Sequence, residues 1–280
     1  MSAERPQRTI RETVETRGVG LHSGVEVTVR FRPAPPGSGV IFRRTDIPGS
    51  PAIPARVQFR VDEPRRTALR QAKGEVHTVE HMLSAASALG IDNLMIEMDG
   101  VEAPGLDGSS ANFLELLEQA GLEEQSLTIA PFEVTEAVTV EQGAAKVTAE
   151  PNPGGGLHVH YTLDYPGVKG LEKLVCELDV TLEAYRELIA PARTFCLEQE
   201  AKMLQAAGLG KGATTENTVV WGDGGALETT LRFEDEPCRH KVLDLIGDLA
   251  LLGKPLNAKI TAVRSGHDLN AALVAKLLGE

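Results

Sequence analysis

His240, Asp244 and Asp248 recur at i, i+4 and i+8 in RHKVLDLIGDLALLG (239–253), so on a helix their side chains project along one face, with Lys241 beside it. An imidazole and a carboxylate one turn apart form a half-site for zinc, which in catalytic centres takes three protein ligands and keeps a fourth position open. On its own this pattern is more often a solvated face whose aspartates pair with Arg239 or Lys254. Glu80-His81 in HTVEHMLSAASALG (77–90) shifts the balance, because a carboxylate beside a histidine pairs general base with ligand in zinc hydrolases. The two segments together hold three ligands and a base.

The same segment also reads His77-x-x-Glu80-His81, the H-x-x-E-H order of a peptidase class in which both histidines bind zinc. That reading needs a distant glutamate, for which Glu150 is the one loosely placed candidate, and it leaves His240, Asp244 and His267 without roles. His267, in RSGHDLN, follows a strand and a glycine; a loop histidine is commonly just solvated, but in company with a metal it suits an acid for a leaving amine. His158 and His160 share one face of a strand, have no evident carboxylate partner and read as ordinary sheet residues. Cys238 points away from His240 on a helix and reads as a packing residue.

These side chains need elements to hold them. Residues 78–89 have apolar positions at helical spacing and Gly90 as a stop; residues 93–99 (NLMIEMD) read as a strand. Asp107, Ser109 and Ser110 offer capping oxygens to a helix that ends at Gly121. Residues 25–32 (VEVTVRFR) alternate as a half-buried strand does, and PAPPGSG breaks them. The polar run EEQSLT (123–128) marks a boundary, which gives domains 1–127 and 128–280. In the second half, strands are expected at 132–141, 145–150 and 157–163. A helix then starts at Glu236 or Pro237 and stops at Gly253, before the strand KITAV. Each half places a His-bearing helix before a glycine stop and a strand.

Composition excludes more than it selects. A net charge of -12 over 280 residues argues against a nucleic-acid binder, which needs a cationic face. Three widely spaced cysteines without a C-x-x-C pair give neither a disulfide framework nor a zinc ribbon. The charged start MSAERPQRTIRETV has no signal-peptide core, and no apolar run is long enough to span a bilayer, so a cytoplasmic protein without an integral membrane segment is expected.

In order, GVGLHSG (18–24), HTVEHMLSAASALGIDN (77–93), EAPGLDGSS (102–110), ARTF (192–195), RHKVLDLIGDLALLG (239–253) and SGHDLN (265–270) resemble the UDP-3-O-acyl-N-acetylglucosamine deacetylase family of lipid A biosynthesis. The resemblance runs from about residue 8 to the C-terminus. It implies two α+β domains of similar layered topology, with helices sandwiched between two sheets and a βαβ insert in the second domain, at about 156–189, forming a passage for an acyl chain. It implies Zn2+ on His81, His240 and Asp244, and Glu80 as general base; His77 is then not a ligand. Thr194 would stabilise the oxyanion, His267 held by Asp248 would protonate the departing amine, and Lys241 would contact substrate. Phe195 would line the mouth of the passage. Arg264 stands where lysine is usual and would meet the diphosphate, and His22 matches a histidine of the first loop. The implied partner is an acylated UDP-sugar, and a monomer is expected. Cys196 replaces the usual glycine after RTF, Asp268 follows His267 where a small residue is common, and the 208–217 loop departs from its usual form. A silent relative that only binds such sugars has no use for a carboxylate at position 80.

Overall fold

The alternation at residues 25–32 forms the strand Glu26–Pro33, whose Val27, Val29 and Phe31 are buried on one face. The structure is a computed structural model describing residues 4–49 and 51–280; the first three residues of the charged start of the sequence, and residue 50, lie outside the described residues. Glu26–Pro33 is second in a five-stranded sheet ordered Val14–Val19, Glu26–Pro33, Leu94–Met98, Val40–Arg44, Ile53–Pro54. Its central strand, Leu94–Met98, runs antiparallel to Glu26–Pro33 and parallel to Val40–Arg44.

The second half repeats this arrangement. Its sheet is ordered Val138–Gln142, Ala145–Glu150, Leu256–Val263, Leu157–Leu163, Leu174–Asp179, with Phe132–Glu133 also paired to Leu256–Val263. The central strand is again antiparallel to one neighbour, Ala145–Glu150, and parallel to the other, Leu157–Leu163. The described residues form six α-helices: α1 (Glu80–Ala88), α2 (Ala111–Gln119), α3 (Leu182–Ala184), α4 (Glu198–Ala206), α5 (Glu236–Leu249) and α6 (His267–Leu277). Helices α1 and α2 flank the first central strand in sequence, as α5 and α6 flank the second. The fold is therefore α+β.

Helix α1 packs on α5 and α2, and α5 packs on α6 and on the second sheet. Phe113 of α2 meets Phe31 of the first sheet edge to face, ring centroids 6.2 Å apart. One apolar core joins Phe31 and Ile96 of the first sheet, Met82, Leu117, Ile246 and Leu273 of the helices, and Val159 and Ile260 of the second sheet. No helix among the described residues is long and apolar enough to cross a membrane.

Three expectations change. Helix α1 begins at Glu80, two residues late, because Thr78 adopts the left-handed region at φ 57, which a helix cannot include. The polar run at 123–128 lies inside a strand, Leu122–Ile129, paired with Arg5–Ile10; it is polar because this two-stranded ribbon is largely exposed. The third concerns the insert. Residues 157–163 and 174–179 are strands of the main sheet, with Val159, Tyr161 and Leu163 buried beside the central strand. The βαβ unit lies instead at Thr194–Leu197, α4 and Thr218–Gly222, whose two strands pair in parallel. A smaller sheet, Arg60–Val61, Ala68–Gln71 and Gly74–His77, precedes α1.

Candidate active site

The left-handed turn at Thr78 starts α1 so that Glu80 and His81 occupy its first turn, both buried. Helix α5 crosses that turn closely: a Cβ at Gly247 would stand 2.2 Å from the Glu80 carbonyl oxygen, so only glycine permits the approach. The crossing gathers His81, His240 and Asp244, whose ligand atoms all lie within 4.8 Å of one another. Asp244 Oδ1 is 3.4 Å from His240 Nε2 and 3.8 Å from His81 Nε2, and the two rings stand edge to face at 5.0 Å.

His240 Nδ1 donates to the Ala192 carbonyl at 2.9 Å, which leaves the Nε2 lone pair facing Asp244. Burial lowers both imidazoles, that of His81 to about 3, with the neighbouring His240 adding to the effect. Burial opposes the Asp244 carboxylate, but Lys241, with Nζ at 2.8 Å, and the surrounding histidines outweigh it and hold it below the usual range. Two neutral imidazoles and one carboxylate, all buried, are the donor set of a divalent transition metal, and the residues fit such an ion.

Two acid–base groups flank the trio. Glu80 Oε2 accepts the Thr67 N–H at 3.1 Å, and burial raises its carboxyl to about 7. His267, the first residue of α6, meets Asp248 Oδ2 through Nδ1 at 2.9 Å. Asp248, fully buried, also accepts from Thr67 Oγ1 at 2.5 Å and Asn270 Nδ2 at 2.9 Å. Burial disfavours the charged His267 ring, but Asp248 and then Asp244 and Glu80 outweigh it and raise the imidazole to about 9. Ligand atoms of Glu80, Asp244 and His267 again lie within 4.8 Å of one another.

His240, Lys241, Asp244 and His267 open onto a cavity of about 530 Å³, whose walls include Thr194, Phe195, Arg264 and His22. Thr194 is fixed by its N–H to the Gly108 carbonyl at 2.8 Å; Gly108 has φ 80 and a Cβ there would meet the Asn217 carbonyl oxygen at 1.6 Å. Phe195 packs edge to face on Tyr165 at 6.1 Å. Arg264 turns through a left-handed φ of 54. Glu102, buried, accepts the N–H groups of His22 at 2.8 Å and Ser23 at 2.7 Å and so shapes the first loop. Cys196, Ala201, Leu204 and Val220 of the βαβ unit give the same cavity an apolar wall, its apolar extension. Of the span 156–189, Tyr165 alone among the described residues reaches this cavity.

The remaining histidines have other partners. His77 ends a strand rather than sharing the helix of His81, and its Nε2 lies 2.7 Å from Glu75 Oε1. Glu150 is exposed opposite Lys259 on the second sheet. The H-x-x-E-H order is therefore not one metal-binding face. His158 and His160 do have carboxylate partners, Asp179 at 2.9 Å and Glu177 at 3.0 Å, which sit on the adjacent strand and are distant in sequence. Cys238 is a buried packing residue, as expected, and Asp268 faces Arg60. Thr67, Asn270 and Glu102 carry no signal by spacing, since each acts through a hydrogen bond to a partner made close only by folding; Glu102 and Asn270 do lie in the motifs EAPGLDGSS and SGHDLN, and Thr67 lies in none.

The model of the UDP-3-O-acyl N-acetylglycosamine deacetylase family matches residues 7–279. A UDP-3-O-acyl-N-acetylglucosamine deacetylase of Anaeromyxobacter sp. (strain Fw109-5) is 40% identical over 275 residues, 98% of this chain and 89% of the relative. One of the same name from Myxococcus xanthus (strain DK1622) is 38% identical over 275 residues, 98% of this chain and 87% of the relative. Because the match spans both sheets and both of the helices that meet over the His81, His240 and Asp244 trio, the chain belongs to the UDP-3-O-acyl N-acetylglycosamine deacetylase family.

Proposed function

We propose that the chain is a zinc-dependent hydrolase acting in lipid A biosynthesis. It removes the N-acetyl group from UDP-3-O-acyl-N-acetylglucosamine and gives UDP-3-O-acyl-glucosamine and acetate. The observation that carries this reading is the convergence of His81, His240 and Asp244 on one another, beside Glu80 and the His267–Asp248 pair, with His240, Asp244 and His267 open to one cavity. The names of the relatives supply the substrate.

When bound by the trio, zinc supplies a positive charge that polarises the acetamide carbonyl and acidifies water beside it. Glu80, adjacent to His81, accepts the proton of the attacking water. Thr194 and Lys241, on the cavity wall, are assigned to the oxygen on which negative charge develops. His267, oriented through Nδ1 by Asp248, gives a proton from its other nitrogen to the departing amine as the C–N bond breaks. Phe195 and the apolar extension take the acyl chain, Arg264 takes the diphosphate, and His22 closes the rim. The reading carries with it a cytoplasmic, monomeric enzyme of two domains, 1–127 and 128–280.

The test is release of free amine from UDP-3-O-acyl-N-acetylglucosamine by metal-stripped protein, with and without added zinc, beside Glu80→Ala. Zinc-dependent turnover that falls about 10²- to 10⁴-fold in the variant is expected. Absence of turnover by folded, zinc-loaded protein would sink the substrate assignment.

A further inference from the structure

Helix α4 forms one wall of the apolar extension through Ala201, Leu204 and Gln205, yet none of its residues is buried. It packs chiefly on the two strands of its own βαβ unit, Thr194–Leu197 and Thr218–Gly222. Its other polar contacts are local: Lys202 pairs with Glu198, and Glu200 Oε2 accepts the Leu197 N–H at 2.9 Å. Among the described residues, its ion pair to the first half of the chain is that between Glu200 and Arg65.

Arg65 lies between the strands Arg60–Val61 and Ala68–Gln71, has a left-handed φ of 63, and lines the cavity beside Glu63. The ion pair thus joins a loop of the first half, whose Arg65 lines the cavity, to the helix that forms one of the cavity's walls. Both side chains are partly exposed, 37% for Arg65 and 22% for Glu200, so the pair is open to water and salt. A helix with little burial and one such tie is held weakly.

We infer that Arg65 and Glu200 form a latch that holds α4 against the apolar extension and thereby sets which acyl chains the site accepts. This rests on the reading that the extension takes the acyl chain. With the latch formed, the wall is fixed and a linear chain fits beneath it; a branched or wider chain requires α4 to lift. Exposed pairs of this kind shift a two-state equilibrium by about 1.5- to 5-fold, and that is the size of selectivity the latch supplies.

The experiment combines amide hydrogen exchange over residues 198–206 with the ratio of kcat/KM for linear and branched acyl substrates. Wild type, Arg65→Ala and the charge-swapped double variant Arg65→Glu, Glu200→Arg are compared. Arg65→Ala is expected to speed exchange in α4 and to lower the linear-to-branched ratio, chiefly through KM, each by about two- to fivefold. The swap should return both toward wild type, which a merely structural defect would not do. Equal α4 exchange in wild type and Arg65→Ala, or an unchanged ratio, would overturn the latch. If wild type deacetylates no acyl substrate, the functional reading fails while the exchange comparison still decides whether Arg65 holds α4.

Discussion

His77 and His81 lie four residues apart in one short motif, and their surroundings give them unlike chemistry. His81 is buried, neutral and aimed at Asp244; His77 is tied to Glu75 on a strand end, outside the trio. His81→Ala should therefore empty the metal site, measured as loss of bound zinc after dialysis together with loss of deacetylation. His77→Ala should keep its zinc and stay within about threefold of wild-type turnover, because the contact it loses is a partly exposed pair. A His77→Ala protein devoid of metal would restore the peptidase-like ligand order. Asp248 shows the opposite economy, with one carboxylate holding Thr67, Asn270 and His267 at once.

Two features of α5 determine whether these residues meet. The first is Gly247, where the helix comes against the Glu80 backbone. Gly247→Ala must push the two helices apart, so we expect about 1–3 kcal/mol of lost stability by urea unfolding together with weakened zinc binding. Wild-type zinc affinity in that variant would show that the close crossing does not set the ligand geometry. The second is Glu236 at the helix start. Its Oε1 accepts the Arg193 N–H and Nε–H at 3.0 and 2.8 Å, and its Oε2 accepts Arg193 Nη2 at 3.1 Å and the Arg232 N–H at 2.7 Å. This fixes the strand that begins at Thr194. Burial acts to raise the Glu236 carboxyl, but Arg193 and the backbone donors prevail and hold it below 4.5. A depressed carboxylate stabilises the fold above its unfolded value near 4.5, and that contribution is lost as pH falls through the folded value. Glu236→Gln should cost about 3–5 kcal/mol at pH 7, where the buried Arg193 loses its counter-charge and keeps only the neutral acceptors of Glu216, Thr229 and Thr230. The gap between variant and wild type should narrow as unfolding is measured at progressively lower pH below 4.5. A gap that stays constant down to the most acidic pH at which wild type still folds would contradict the assignment.

Across the whole molecule the same strand order and pairing directions occur twice, yet the two copies contribute unequally to the site. The first gives Glu80 and His81 at a helix start; the second gives His240, Asp244 and Asp248 along its matching helix and His267 at the next. Because these helices belong to one continuous apolar core, the trio is held by packing before any ion binds. Metal removal should therefore abolish turnover while leaving the near-ultraviolet dichroism native. Zinc at about a hundredfold its Kd should add about 3 kcal/mol, seen as a rise in Tm on reloading. Unfolding of the stripped protein at ambient temperature would show instead that the metal drives folding, as in small zinc domains.

The sequence by itself determined the elements and the chemical candidates. Periodicity located α1, α2, α5 and the strands at 26–33 and 94–98, because burial of one face leaves a local pattern. Helical spacing likewise aligned His240, Asp244 and Asp248. The family motifs already set His81 apart from His77. Only the tertiary structure decided how His81 comes beside His240 and Asp244, since a left-handed residue at 78 and a glycine at 247 act across a helix crossing that no local pattern records. It also moved the βαβ unit to residues 194–222: its strands are short, and a strand buried in a main sheet has the same alternation as one in an insert. The carboxylate partners of His158 and His160, and Thr67 beneath Asp248, became visible only with strand register and packing, because a hydrogen bond depends on distance in space and sequence fixes only distance along the chain.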